Sequence, residues 1–212
     1  MTAFIHSEKV KHTLNQLHNE ASGELPSILK GLSKGIFRKL KPEDMEETFI
    51  AMNREQGLLI YKLIRAAKAK HIVEFGTSFG ISTIYLAAAA KETGGKVITT
   101  ELLASKAEKA SLHFKMADLN DIIELRVGDA METMIDIKEG IDFLLLDGWN
   151  DLYLPLLKLL EPKLADGCTI ITDNANMPSA KPFLGYVRNH EQYLSSPLKT
   201  SKGTTEFTVH IK

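Results

Sequence analysis

The sequence predicts an α/β protein: a doubly wound, seven-stranded, mostly parallel sheet preceded by a helical extension. Three observations carry this reading. From Lys70 onward, short apolar runs alternate with helix-length segments, the pattern of successive βα units. The runs themselves, Ile141-Asp142-Phe143-Leu144-Leu145-Leu146 being the clearest, are nearly continuous in apolar residues, as central strands covered on both faces are. The first run, Ile72-Val73-Glu74-Phe75, leads directly into a glycine turn, Gly76-Thr77-Ser78-Phe79-Gly80, and then into a helix starting at Ile81.

Taken in order, residues 1–65 read as the helical extension and 66–212 as the sheet domain. Val10, Leu14 and Leu17 share one helix face, and Ser22-Gly23-Glu24-Leu25-Pro26 ends that helix. Ile28-Leu29 and Ile36-Phe37 then lie among Lys30, Lys34, Arg38, Lys39 and Lys41; a solvated face beside an apolar seam is preferred over a membrane or partner surface. A helix over Met52–Ala67 offers Leu58, Leu59, Ile60, Leu63 and Ile64 as a broad buried face. Strands are expected at His71–Phe75, Lys96–Glu101, Ile122–Val127, Ile141–Asp147 and Cys168–Thr172, with helices between them. The first of those helices is expected over Ile81–Lys91 and the last near Ala180–Arg188. Glu191–Pro197 and Thr204–Ile211 read as a closing antiparallel hairpin around Lys202-Gly203.

Composition narrows the function classes. The chain has 212 residues, 44% hydrophobic and 25% charged, enough for a full core. A net charge of −1 gives no reason to expect nucleic-acid or anionic-membrane partners. The only cysteine, Cys168, lies in an apolar run and reads as a buried, inert thiol. No apolar stretch approaches membrane-spanning length, and Ser7, Glu8 and Lys9 interrupt any signal-peptide core. A soluble, cytoplasmic protein is expected, with the apolar N-terminal helices able to pair two chains in a homodimer.

The chemistry gathers at the carboxyl ends of the strands, where ligands bind in such sheets. The glycine turn has the spacing G-x-x-x-G rather than G-x-G-x-x-G, which favours an adenine-containing ligand other than NAD. A purely structural βα turn is the alternative. Glu101 ends the second strand 25 residues after Gly76, near the spacing at which a carboxylate grips both ribose hydroxyls; a cap-like acid at a strand exit is the other reading. Gly128-Asp129-Ala130 ends the third strand, where Asp129 either accepts a bond from an adenine amine or caps the helix starting at Met131. Asp147 ends the fourth, and Asp173-Asn174 the fifth. Adjacent parallel strands would bring these three oxygen donors together, a set suited to Mg²⁺ or another hard divalent cation; two unrelated turns are the alternative.

Leu146-Asp147-Gly148-Trp149-Asn150-Asp151-Leu152-Tyr153-Leu154-Pro155 resembles the segment that marks catechol O-methyltransferase and its bacterial relatives. So do Asp173-Asn174 through Pro178, Phe183–Arg188, Ala51-Met52-Asn53 and the Glu74–Ser82 stretch. Several short motifs at matching separations, over about residues 50–190, make the resemblance specific. It implies a Rossmann-like methyltransferase fold and an O-methyltransferase that uses S-adenosylmethionine and Mg²⁺ on a small hydroxylated acceptor. It also implies that Glu101 holds the ribose, that Glu74, Gly76, Ser78 and Ser82 surround the methionine end, and that Gly128, Asp129 and Ala130 line the adenine with Trp149 against it. Met52 and Asn53 would close the methyl-donor side. Asp147, Asp173 and Asn174 would hold the metal, with Asp147 also bordering the cofactor and taking part in catalysis.

One position departs from the family. Its general-base lysine falls at Asn150, which cannot accept a proton at neutral pH. Metal acidification alone, another base such as Lys158 or Lys181, or an already acidic acceptor would each answer this. Glu206 is the available second acid in the final strands, though its position matches poorly. The remaining readings are a metal-independent methyltransferase, a non-catalytic S-adenosylmethionine-binding protein motivated by Asn150, and an NAD-dependent oxidoreductase, which the missing middle glycine disfavours.

Overall fold

A computed structural model describes residues 3–23, 41, 44, 46, 52–200 and 203–212. Ile28-Leu29, Ile36-Phe37, most of the basic residues around them and Lys202 of the closing turn lie outside the described residues. The strands are β1 (His71–Phe75), β2 (Lys96–Glu101), β3 (Ile123–Val127), β4 (Ile141–Leu146), β5 (Leu164–Thr172), β6 (Tyr193–Thr200) and β7 (Gly203–His210). They form one sheet in the order β3-β2-β1-β4-β5-β7-β6. Pairing from β3 across to β5 is parallel, and β7 runs antiparallel to both β5 and β6. The winding reverses between β1 and β4, which opens a crevice at their carboxyl ends.

The helices are α1 (Glu8–Ser22), α2 (Arg54–Ala67), α3 (Ile81–Thr93), α4 (Ala104–Met116), the short α5 (Ala130–Thr133), α6 (Tyr153–Leu160) and α7 (Lys181–Asn189). Alternation along the strands feeds two cores. Ile72, Phe143, Leu145 and Ile171 face a layer built with Val10, Leu14 and Leu17 of α1, Ile60 and Ile64 of α2, and the alanines of α3. Val73, Phe75, Leu144, Leu146 and Ile170 face the other, with Leu156, Leu157 and Leu160 of α6 and Phe183 and Val187 of α7. Leu144, Leu145 and Leu146 are fully buried, each stabilising the fold by about 1.5–3 kcal/mol relative to exposure. Helix α3 is buried on every side from Ile81 to Ala90, so small residues at Ala87–Ala90 let it lie between the sheet and α2. Gly57 lets α2 settle on α3: a Cβ there would stand 2.3 Å from the Tyr85 ring.

The predicted elements fall close to where expected; β6 runs Tyr193–Thr200 rather than Glu191–Pro197, and two further differences bear on packing. The buried face of α2 is Gln56, Gly57, Ile60, Tyr61 and Ile64, so Leu58, at 36% exposure, is on the outer side. An unbroken apolar run does not tell a helix which of its members turn inward; the 3.6-residue period does. Strand β5 starts at Leu164 rather than Cys168, and its register with β4 shifts within the strand, between the Ile141–Leu164 and Phe143–Thr169 pairs. Cys168 is fully buried, and burial pushes its thiol far above the usual range, so it is inert as expected. No helix among the described residues is long and apolar enough to cross a membrane.

Candidate active site

The glycine turn after β1 is held by its backbone. Gly76 has φ 102°, Ser78 φ 49° and Gly80 φ 89°, all in the left-handed region. The N–H groups of Gly76 and Thr77 both donate to the carbonyl of Thr100, at 3.2 and 3.1 Å. A Cβ on Gly76 would lie 2.7 Å from the Cα of Gly148, so both the tip of β4 and the positive φ call for glycine there. Gly80 starts α3, and its missing Cβ makes room for Phe114 of α4 rather than for the strand end. Glu101 clasps the turn: Oε2 accepts from the Ser78 N–H at 2.7 Å, and Oε1 from the Leu103 N–H at 3.0 Å. It therefore serves the backbone as a cap-like acid, from a buried position against the turn. The Ser78 hydroxyl is buried without a hydrogen-bond partner among the described residues.

Glu74, on β1, is wholly buried and meets no cation among the described residues. Its Oε2 accepts from Thr83 Oγ1 at 2.5 Å and Thr99 Oγ1 at 2.6 Å, while Oε1 has no hydrogen-bond partner among the described residues. The Ser82 hydroxyl also faces it. Burial outweighs these hydroxyls and, with the nearby Glu101 charge adding to it, pushes the Glu74 carboxyl above the usual range.

At the tip of β3, Gly128 turns with φ 132° and its N–H donates to the Glu101 carbonyl at 2.9 Å. Asp129 takes the capping role: Oδ1 accepts from the Met131 N–H at 2.8 Å at the start of α5. Ala130 is buried beneath it, and Trp149 is half-buried against the second core. On the other side, Met52 is buried and Asn53 caps α2, its side chain accepting from the Gln56 N–H at 2.8 Å.

The tips of β4 and β5 bring the two aspartates side by side. Leu146 and Thr172 are register partners, the Asp173 N–H donates to the Leu146 carbonyl at 2.9 Å, and the Asp147 N–H donates to the Phe75 carbonyl at 2.9 Å. Asp173 Oδ1 accepts from Gln56 Nε2 at 2.9 Å and Thr205 Oγ1 at 3.1 Å; among the described residues no hydrogen bond reaches Oδ2. Asn174 follows, exposed, with φ 54°. No group of three or more His, Cys, Asp or Glu side chains able to hold a metal occurs among the described residues. The donor set that the resemblance implies is instead two carboxylates and an amide oxygen. It fits a hard, oxygen-seeking cation such as Mg²⁺, which keeps several waters, and it does not fit a softer metal that needs nitrogen or sulfur.

Two further residues complete the crevice. Tyr153 is fully buried, and its hydroxyl lies 3.3 Å from the Gly148 carbonyl and 3.2 Å from that of Asp173. Burial and then the charges of Asp147 and Asp173 push its phenol well above the usual range, which keeps it a donor rather than a base. Asn150 opens a short 3₁₀ turn, Asn150–Leu152, with its amide nitrogen buried and lacking an acceptor among the described residues. Lys158 is engaged elsewhere, 3.4 Å from Glu161 and 3.5 Å from the Tyr186 ring centroid, and Lys181 is exposed. Glu206 is fully buried and bound by Arg188 at 2.8 and 2.6 Å and by Ser195 at 2.8 Å, so it is a structural acid.

Sequence reasoning missed Gln56, Tyr153 and Thr205. Gln56 had a signal: Asn53-x-x-Gln56 is a capping-box spacing, and that box is formed. Thr205 reaches Asp173 only through the antiparallel return of β7, which no local pattern announces.

A family described as "Methyltransferase domain" matches residues 73–175. Among curated proteins, catechol O-methyltransferase of Mycobacterium tuberculosis is 30% identical over 152 residues, covering 71% of this chain and 69% of that protein. Catechol O-methyltransferase B of Danio rerio is 31% identical over 153 residues, but the match spans only 58% of its length and 69% of this chain. The bovine catechol O-methyltransferase is 26% identical over 197 residues, covering 88% of this chain and 70% of that protein. Among solved structures, the O-methyltransferase from Bacillus cereus in complex with SAH superposes with a TM-score of 0.73 at 22% identity, over 95% of this chain and 91% of that one, a likeness of fold. The chain thus belongs to the class I S-adenosylmethionine-dependent O-methyltransferases, in the group that includes catechol O-methyltransferase.

Proposed function

We propose that this protein is an S-adenosylmethionine- and divalent-metal-dependent O-methyltransferase acting on a small, chelating hydroxylated acceptor, catechol-like or otherwise. The observation that carries the reading is the side-by-side placement of Asp147 and Asp173 at the tips of β4 and β5, against the glycine turn of β1. When bound, the cofactor supplies an electrophilic methyl group and the cation lowers the pKa of an acceptor hydroxyl.

The chain's own residues then have positioning tasks. Glu101, already fixed by the Ser78 and Leu103 N–H groups, retains lone pairs for a ribose diol. The orphan Ser78 hydroxyl, with Gly76, Glu74 and Ser82, borders the methionine end; Gly128, Asp129, Ala130 and Trp149 border the adenine; Met52 and Asn53 close the remaining side. Asp147, Asp173 and Asn174 would hold Mg²⁺. Asn150 cannot take a proton, but its buried amide nitrogen is a donor without an acceptor, which suits holding an acceptor oxygen that arrives or becomes anionic. Tyr153 stays protonated and holds its hydroxyl between the Gly148 and Asp173 carbonyls rather than taking a proton from the acceptor. Catalysis by alignment alone requires reacting atoms at about 3–3.5 Å.

Calorimetry with S-adenosylmethionine and with NAD, each with and without Mg²⁺, followed by labelled-methyl transfer to a panel of vicinal diols, phenols and hydroxamates, tests the proposal. Metal-dependent transfer to a chelating acceptor is expected. Asn150 motivates one other reading, a non-catalytic cofactor-binding protein, and tight cofactor binding with no transfer in any metal would favour it. Transfer that is indifferent to chelators would favour a metal-independent methyltransferase.

A further inference from the structure

Gln56 is 4% exposed and reaches in two directions. Its Oε1 accepts from the backbone N–H of Asn53 at 3.3 Å, completing the capping box that starts α2. Its Nε2 donates to Asp173 Oδ1 at 2.9 Å and lies 3.4 Å from Thr205 Oγ1. Thr205 spends its single hydroxyl hydrogen on the same Asp173 oxygen, at 3.1 Å. Every hydrogen of the amide and the hydroxyl thus has an acceptor.

Two features make this more than packing. Both donors to Asp173 are neutral, so they fix the rotation of the carboxylate without cancelling its charge. Both converge on Oδ1 and leave Oδ2 without a hydrogen bond among the described residues. That is how an outer-shell partner prepares a carboxylate for a cation. Its neighbour Gly57 packs directly on the Tyr85 ring, which seats this turn of α2 on α3. The start of α2, bearing Met52 and Asn53, and the rotation of Asp173 are therefore read by one amide group.

We infer that Gln56 is a positioning residue that couples the two halves of the site: seating the Met52–Asn53 end of α2 on the cofactor sets Asp173 for the divalent cation, and cation binding at Asp173 in turn favours the seated α2. This rests on the proposed reading that Asp173 binds metal and that Met52 and Asn53 line the cofactor. Binding linkage makes the effect reciprocal.

The test uses the full chain, Mn²⁺ followed by electron paramagnetic resonance, and S-adenosylhomocysteine followed by calorimetry, each ligand titrated with and without the other. In the wild type each ligand tightens the other. Gln56→Met weakens Mn²⁺ about 10-fold and reduces the mutual tightening to none. Thr205→Val, which removes a donor to Asp173 and the second acceptor of the Gln56 amide but leaves the Gln56–Asp173 bond and the capping box in place, weakens Mn²⁺ but keeps the mutual tightening. If Gln56→Met does not fold, Gln56→Ala carries the same expectation. A wild type that binds S-adenosylhomocysteine but no Mn²⁺ overturns the metal reading and this inference with it. A wild type that binds both ligands independently, or a Gln56→Met variant with a lower Tm and unchanged mutual tightening, overturns the inference alone.

Discussion

Gly76 and Gly148 meet backbone to backbone, and a Cβ built on Gly76 would stand 2.7 Å from both the Cα and the N of Gly148. Glycine at each position lets the tips of β1 and β4 close at the point where the sheet reverses its winding. The same approach carries Asp147 to the turn and, through the Leu146 carbonyl, Asp173 beside it.

Gly76→Ala should therefore be costly twice over. A non-glycine residue in this region costs about 1–3 kcal/mol, and the collision is with backbone, which cannot rotate away. A loss of at least about 2 kcal/mol in urea unfolding is expected, together with weaker S-adenosylhomocysteine binding. Gly94→Ala is the control. It also has positive φ, but open space surrounds its Cβ position, so it should lose only about 1 kcal/mol and keep ligand affinity. Equal losses for the two variants would contradict the backbone contact.

Asp173→Asn separates charge from shape. The amide oxygen can keep the bonds from Gln56 and Thr205, while the substituted nitrogen removes the free acceptor and the negative charge. Cofactor affinity should stay within a few-fold of wild type, while Mn²⁺ binding and metal-dependent turnover disappear. Retained turnover at wild-type rates would remove the metal from the mechanism.

How far this site could be read from the sequence depends on the range of the interactions. Strands such as Ile141–Leu146 were legible because burial on both faces leaves an uninterrupted apolar run, and the residue that ends such a run is where the chemistry sits. Asp147 and Asp173 are proposed as site residues on that ground. Leu58 was misjudged because three consecutive apolar residues on α2 do not reveal which of them the helix turns outward. Tyr153 and Thr205 were missed because their partners lie 20 and 32 residues away and are met only once the sheet is assembled.

Asn150→Lys tests what the departure from the family means. A positioned base is worth about 10²–10⁴-fold, so if a base is what this chain lacks, transfer to catechols should rise. Asn150→Leu makes the complementary prediction. The free protein has a buried amide nitrogen without an acceptor, and burying one costs about 1–3 kcal/mol, so removing it should leave stability unchanged or raise it while KM for the acceptor increases. A clear loss of stability would mean that the nitrogen has a partner within the fold.

Glu74 provides a pH signature independent of turnover. Burial raises its carboxyl above the ordinary value of 4.5, so between that value and its folded pKa the folded state holds a proton that the unfolded chain has released. Stability contributed by this group is thus fully present below pH 4.5 and falls as pH rises through the folded pKa, the reverse of a salt-bridged carboxylate. Above that point the protein carries a buried carboxylate served only by hydroxyls. Glu74→Gln has no proton to lose, and threonine hydroxyls can turn to meet either amide atom. Urea unfolding from pH 5 to pH 8 should therefore show wild type losing stability relative to Glu74→Gln as pH increases. Parallel pH dependences for the two proteins would show that Glu74 is ionised in the folded state throughout that range, and that something other than the described threonines compensates its charge.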